Sequence, residues 1–147
     1  MEELLKELDE NLEIIETIYN EDIIEIHIKY TGKISCCPKC GTESVRRHSN
    51  HTSYAWDLPI QNYKVKLVMH VNEYFCDNDD CSQKIFAEKF EFLGSTRKRT
   101  KRLEEYILNL SKSSNALQAE RFMNDNVSKI SNDTILRLVK KNSENQL

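Results

Sequence analysis

The chain has 147 residues, of which 39% are hydrophobic and 31% are charged, and its formal net charge is −3. This composition excludes an intrinsically disordered chain, and no apolar run approaches the roughly 20 residues of a membrane-spanning helix. The acidic start, Met1-Glu2-Glu3, does not resemble a secretory signal peptide, so we expect a cytoplasmic protein. In that compartment, five cysteines are expected as metal ligands or free thiols rather than as disulfides.

Charge is distributed unevenly along the chain. Residues 1–25 contain ten acids and a single base, and therefore carry −9, whereas residues 97–141 contain eleven bases and five acids and carry +6. Lysine and arginine need to meet phosphates only at a contact surface. The basic C-terminal third therefore favours nucleic acid as a partner, despite the acidity of the whole chain.

The first part of the sequence has the patterns of β-strands. Leu12–Tyr19 and Ile23–Tyr30 are rich in isoleucine and tyrosine, and the short polar segment between them predicts a hairpin. Further strands are predicted at residues 52–58 and at Tyr63–Phe75, where hydrophobic residues alternate. A short acidic helix is expected at residues 2–10, before the first strand.

Four cysteines form two closely spaced pairs. Two residues separate Cys37 from Cys40, four residues separate Cys76 from Cys81, and each pair lies near a predicted strand end. Zinc prefers four such ligands in a tetrahedron, and two short loops can supply them, so we predict a zinc site. Because four thiolates leave no open coordination position, this zinc would be structural.

Other assignments of these residues stay open. A rubredoxin-like iron site or a redox dithiol could use the same four cysteines. Cys36 is left out of the ligand set because its spacing from Cys40 gives a less usual loop. The rival ligands are His48, His51 and His70, each of which would have to displace a well-placed cysteine.

After Gly94 the strand patterns stop and helical spacing begins. We therefore divide the chain into a β-rich, zinc-ribbon-like domain, residues 1–94, and a helical domain, residues 95–147. Three short helices are predicted, and each has candidate N-terminal caps. These caps are Thr96 or Thr100, Ser113 or Ser114, and Ser131, respectively. The apolar residues at helical spacing are Leu103, Ile107 and Leu110, then Leu117 and Phe122, then Ile135, Leu138 and Val139.

The last two helices, joined by a tight turn, match a helix-turn-helix whose final helix would lie in the major groove of DNA. The predicted DNA contacts on that helix are Asn132, Thr134, Arg137, Lys140 and Lys141. A basic run at the domain junction is expected to contact phosphates, and comprises Arg97, Lys98, Arg99, Lys101 and Arg102. Arg46 and Arg47 are further candidates, with a solvated basic loop as an equal alternative.

Seven short motifs follow one another over roughly residues 10–141. They are Cys37-Pro38-Lys39-Cys40-Gly41, Arg47-His48-Ser49, Trp56-Asp57-Leu58-Pro59, Tyr74-Phe75-Cys76 with Cys81, Phe86-Ala87-Glu88, Thr100-Lys101-Arg102-Leu103 and Ser131-Asn132-Asp133-Thr134-Ile135-Leu136-Arg137. In this order they resemble the N-terminal region of bacterial insertion-sequence transposases of the ISL-three family. The resemblance implies a zinc-binding domain followed by a helix-turn-helix that holds double-stranded DNA at the terminal inverted repeats of the transposon.

The sequence departs from that family in two respects. The family tends to carry arginines before the third cysteine, where this chain has Asn72-Glu73-Tyr74-Phe75. The family's RNase H-like catalytic half would lie after Leu147, so we expect DNA binding without catalysis by this chain alone. The chain is then a truncated transposase, one part of a split gene or a retained remnant, and a homodimer is a possible assembly. The alternatives are a domesticated zinc-containing transcriptional regulator and a protein–protein adaptor.

Overall fold

The computed structural model of the protein describes residues 1–32 and 34–145, so the last two residues of the predicted helical domain lie outside it. The protein is α+β, with a mainly β N-terminal part and a helical C-terminal part, as the sequence predicts. In chain order, the elements are α1 Glu2–Lys6, β1 Leu12–Tyr19, β2 Ile23–Tyr30, β3 Ser35–Cys36, β4 Glu43–Ser44, β5 Arg47–Ile60, β6 Tyr63–Phe75, β7 Ile85–Ala87, α2 Lys101–Ser113, α3 Ala116–Asn126 and α4 Asn132–Asn145.

Five strands form one sheet with the order β1-β2-β6-β5, and β7 pairs with β6 as well. The predicted hairpin of β1 and β2 is confirmed, and alternate residues of β2, from Ile24 to Tyr30, are buried. The strand predicted at residues 52–58 lies within the longer β5, Arg47–Ile60. A second, two-stranded sheet pairs β3 with β4, with Ser35 opposite Ser44.

The chain divides into two compact units. The first unit comprises residues 1–17, 26–54 and 68–92. Its interior contains Ile26, Ile28 and Met69, each no more than 1% exposed. The rings of Tyr30 and Phe90 stack at a centroid distance of 4.5 Å. Because β2 and β6 place every second side chain on the same face, this interior follows from their hydrophobic alternation.

The second unit comprises residues 18–25, 55–67 and 93–147. Helices α2, α3 and α4 each pack against the other two. The buried core between them consists of Leu103, Ile107, Ala119, Met123, Val127, Ile130, Ile135 and Leu138. Trp56 and Leu58, from β5, pack against this core. None of the helices in the described ranges is long and apolar enough to cross a membrane.

Helix α3 differs from the sequence prediction in its cap and in its buried face. Its N-terminus is capped by Asn115, whose side chain accepts a hydrogen bond from the Gln118 N–H at 2.8 Å. Ala119 and Met123 are fully buried, whereas Leu117 is 57% exposed and Phe122 is 39% exposed. Ala119 and Met123 belong to the core shared by the three helices, so this orientation of α3 leaves Leu117 and Phe122 facing solvent.

Candidate metal centre and nucleic-acid interface

The Sγ atoms of Cys37, Cys40, Cys76 and Cys81 all lie within 4.8 Å of one another. The Sγ–Sγ distance is 4.0 Å between Cys37 and Cys81, and 3.5 Å between Cys40 and Cys76. Four sulfurs bound tetrahedrally at the usual Zn–S distance would be separated by about 3.8 Å. The four cysteines could therefore hold a metal ion, and their spacing is consistent with zinc.

The tight turn after β3 presents the first cysteine pair. Cys37 donates its N–H to the Thr42 carbonyl oxygen at 2.9 Å, and Gly41 donates to the Cys37 carbonyl oxygen at 2.8 Å. Gly41 has a φ of 76°, a left-handed conformation that glycine adopts without steric cost. The Cys-Pro-Lys-Cys-Gly sequence thus folds both sulfurs toward the same side.

The second pair is presented by the segment between β6 and β7. Cys76 directly follows β6, and its N–H donates to the Lys84 carbonyl oxygen at 2.8 Å. Cys81 donates its N–H to the Asn78 carbonyl oxygen at 3.0 Å, while the Asn78 side chain accepts from the Asp80 N–H at 3.1 Å. These local hydrogen bonds fold the four residues between Cys76 and Cys81 into a compact loop.

Ser44 helps to bring the two pairs together, a role that the sequence analysis missed. It is 4% exposed, and its hydroxyl donates to the Phe75 carbonyl oxygen at 2.6 Å. The Phe75 N–H in turn donates to the Arg46 carbonyl oxygen at 2.9 Å. Ser44 stands four residues after Cys40 in the sequence, but no local pattern indicates its partner, which lies 31 residues away.

The environments of the sulfurs differ. Cys37, Cys76 and Cys81 are buried with Phe86, whereas Cys40 is more exposed. Hydrogen bonds from the side chain and then the backbone of Thr42 lower the pKa of the Cys40 thiol to about 6. At Cys76 a backbone hydrogen bond from Asn78 lowers the pKa, but burial and the neighbouring sulfurs outweigh it and raise the value to about 12. Four thiolates at these distances repel one another, so a bound cation is the natural way for all four to ionise.

The rival ligands have other neighbours. The His27 and His70 rings meet at 2.9 Å between Nδ1 and Nε2. His48 and His51 flank the Glu73 carboxylate, with their Nδ1 atoms 3.6 Å and 3.2 Å from its oxygens. Hydrogen bonding from Ser49, followed by the two imidazoles, lowers the pKa of Glu73. Cys36 is an exposed free thiol in β3 and lies outside the four-sulfur group.

The two arginines after the first cysteine turn are both exposed. The Arg46 guanidinium pairs with the Asp77 carboxylate, with its Nε 2.8 Å from Oδ1, and lies 4.4 Å from the centroid of the Phe75 ring. Arg47 borders a shallow groove with Ile34 and Tyr74. Of these two arginines, Arg46 thus has an acidic partner within the protein.

The basic run at residues 97–102 is split by the structure. Arg97, Lys98 and Lys101 are exposed, whereas Arg99 is only 9% exposed. The cause is pairing with β5, since Trp56 donates its N–H to the Lys98 carbonyl oxygen at 2.9 Å and accepts from the Thr100 N–H at 3.0 Å. Burial lowers the pKa of Arg99, against the opposing charge of Glu104.

Asp57 is the other residue whose role the sequence analysis missed. Its carboxylate is buried and accepts from Thr100 Oγ1 at 2.8 Å and from Arg102 Nε at 2.8 Å. The second guanidinium contact, from Nη2 to Oδ2, is 2.5 Å long. Thr100 also caps α2 by accepting from the Leu103 N–H, as predicted. Arg99 and Arg102 therefore differ from the solvent-exposed arrangement that the basic run suggested.

Helix α4 places its predicted residues in two environments. Ser131 Oγ accepts from the Thr134 N–H at 3.2 Å, which is the geometry of the predicted cap. The exposed cations of α4 are Arg137, Lys140 and Lys141, whereas Asn132 and Thr134 are half-buried. The Asn132 N–H donates to Glu120 on α3 at 3.1 Å.

Comparison with known proteins finds similarity to one insertion-sequence transposase. It is similar to the transposase for insertion sequence element IS1001 of Bordetella parapertussis, with 29% identity over 99 residues. The matched region is 67% of this chain and 24% of the transposase, so the chain spans about a quarter of that relative's length. No family model matches the chain, and no solved structure matches it. The chain is thus a homologue of part of an insertion-sequence transposase.

Proposed function

We propose that this chain binds double-stranded DNA as the end-recognition part of an insertion-sequence transposase of the ISL-three family. The observation that carries the proposal is the similarity to a transposase over 67% of the chain. Terminal inverted repeats are the proposed target. We assign DNA binding, and not strand cleavage, to the residues described above.

Zinc is the proposed metal, and its role is structural. Cys37, Cys40, Cys76 and Cys81 would fill a tetrahedral shell, so no position remains for water or substrate. The two sulfur pairs come from segments more than 30 residues apart, and a bound ion would tie them together. In a small β-rich unit, such a link contributes directly to the free energy of folding.

The proposed recognition element is α4, as the second helix of a helix-turn-helix formed with α3. Ile135 and Leu138 anchor it in the core, which leaves Arg137, Lys140 and Lys141 facing solvent. Such exposed cations on one helix can approach base edges and phosphates in the major groove. Asn132 and Thr134 stand at its first turn, where they would meet the DNA backbone.

The proposed phosphate contacts outside α4 are the exposed Arg97, Lys98, Lys101 and Arg47. Arg99 and Arg102 are left out of the phosphate contacts in this proposal, because Arg99 is buried and Arg102 is paired with the Asp57 carboxylate. Arg46 would reach a phosphate only by leaving Asp77.

The test separates the two basic regions by role. Binding is measured by fluorescence anisotropy over a salt series, on the terminal repeats of the element and on scrambled duplexes. Arg137→Ala should weaken specific binding by about 1–3 kcal/mol and relax sequence preference. Neutralising Lys98 and Lys101 to Gln should weaken binding to all duplexes alike, and make the log–log salt slope shallower by about 2.

Lys112→Gln on α2 is the matched control, since it removes an exposed charge outside the proposed contact set. The absence of salt-dependent binding to any duplex would overturn the proposed function. Full discrimination by Arg137→Ala, together with lost discrimination in the lysine double variant, would show that α4 is not the recognition helix.

A further inference from the structure

The solvent face of α4 combines charges with one large apolar side chain. Leu136 is 55% exposed and lies one turn after Asp133 and one turn before Lys140, both of which are also exposed. Its neighbours in sequence divide between two environments, since Ile135 is fully buried and Arg137 is exposed. Leu136 takes no part in the core of the helical unit.

A lone exposed leucine needs no explanation on an ordinary surface. On α4, however, the exposed cations outnumber the exposed acids of the helix, Asp133 and Glu144, and therefore favour a negatively charged partner. These cations are Arg137, Lys140 and Lys141. The major groove of DNA is a surface that combines the negative charge of the phosphates with an apolar group at a fixed position. There the 5-methyl group of thymine projects beside the hydrogen-bonding edges of the bases.

We infer that Leu136 determines specificity by packing against a thymine methyl group in the major groove. This inference rests on the proposed function, because it requires α4 to be the recognition helix. Leucine has no side-chain hydrogen-bonding atom, so it can discriminate among bases only through apolar contact and shape. Arg137, the next residue, would read guanine O6 and N7, so a thymine close to a guanine is the expected target.

The test removes the methyl group from the DNA and the isobutyl group from the protein. A duplex selected for tight binding from a random-sequence library is prepared with each thymine replaced in turn by deoxyuridine. One replacement per bound site should weaken wild-type binding about fourfold, as expected for one buried methyl group. Leu136→Ala should bind the thymine and deoxyuridine duplexes with equal affinity.

Leu117→Ala on α3 is the matched control. Leu117 is 57% exposed, and its removal should leave the deoxyuridine response unchanged. Because both leucines are exposed, neither variant should unfold the helical unit, and the fluorescence of Trp56, which packs against its core, verifies this.

Each remaining outcome decides against the inference. Wild-type binding that depends on Arg137 but tolerates every deoxyuridine overturns the role of Leu136 alone. The role of Leu136 is also overturned if the affinity of Leu136→Ala still falls when thymine is replaced by deoxyuridine. It is overturned as well if Leu136→Ala keeps its base preference but loses a self-association that the wild-type chain shows. Failure of the wild-type chain to bind any duplex overturns the proposed function and this inference together.

Discussion

The ion pair between Asp57 and Arg102 should contribute strongly to the free energy of unfolding of this protein. Asp57 follows Trp56 in β5, and Arg102 lies in the first turn of α2. The side chain of Asp57 is 3% exposed and that of Arg102 is 26% exposed. Removal of Arg102 leaves the buried Asp57 carboxylate poorly solvated, and such an uncompensated buried charge makes the loss of a buried ion pair costly.

The two single substitutions should differ in magnitude. Arg102→Met leaves a buried carboxylate with only Thr100 Oγ1 as a hydrogen-bond donor among the contacts described above, so we expect a loss of about 3–5 kcal/mol. Asp57→Ala leaves a guanidinium that is already a quarter exposed and can regain water, so we expect about 2–3 kcal/mol. The double variant should cost much less than the sum of the two single changes.

The assay is urea unfolding at a fixed zinc concentration. Trp56 is the only tryptophan of the chain and packs against the helical core, so its fluorescence reports on that unit. The matched control is Lys64→Met, which breaks a 3.7 Å ion pair with Asp22 whose acidic side chain is 65% exposed. This surface pair should contribute no more than about 1 kcal/mol.

A coupling energy between Asp57 and Arg102 below about 0.5 kcal/mol would refute the reasoning. So would an Arg102→Met variant as stable as the Lys64→Met control.

Three further predictions concern other parts of the molecule. Cys37→Ser should abolish the binding of about one zinc per chain and unfold the β-rich unit, whereas Cys36→Ser should change neither property. Atomic absorption measures the zinc content, and circular dichroism measures the folding. Asn115→Ala should lower the free energy of unfolding of the helical unit by about 1 kcal/mol, measured by urea titration, because it removes the capping box of α3. Burial, followed by the hydrogen bond and charge of Asp9, raises the pKa of Tyr30 above its ordinary value of 10.0. The stability from this group is therefore complete below about pH 10 and is lost as pH rises further, so the alkaline fall of the urea midpoint should be shallower in Tyr30→Phe.

The sequence alone determined the features whose causes are local. The alternation of Ile24, Ile26 and Ile28 predicted β2 and its buried face, because side chains of a strand alternate between two sides. The spacing of the cysteines predicted two short loops, and the four sulfurs indeed lie together. The sequence also offers Thr100 as one of two candidate caps for α2, and Thr100 caps this helix.

Tertiary contacts decided the features that depend on residues far apart in the sequence. The spacing of Leu117 and Phe122 did not reveal which face of α3 is buried. That face is set by packing against the other two helices, and it contains Ala119 and Met123 instead. The basic run at residues 97–102 looked uniform in sequence, yet β5 buries Arg99 and supplies the Asp57 carboxylate to Arg102. Asp57 and Arg102 are 45 residues apart, so their contact exists only once the strand and the helix are packed together. Charge density is a property of the sequence, whereas the availability of each charge to a partner depends on burial, which only the folded chain determines.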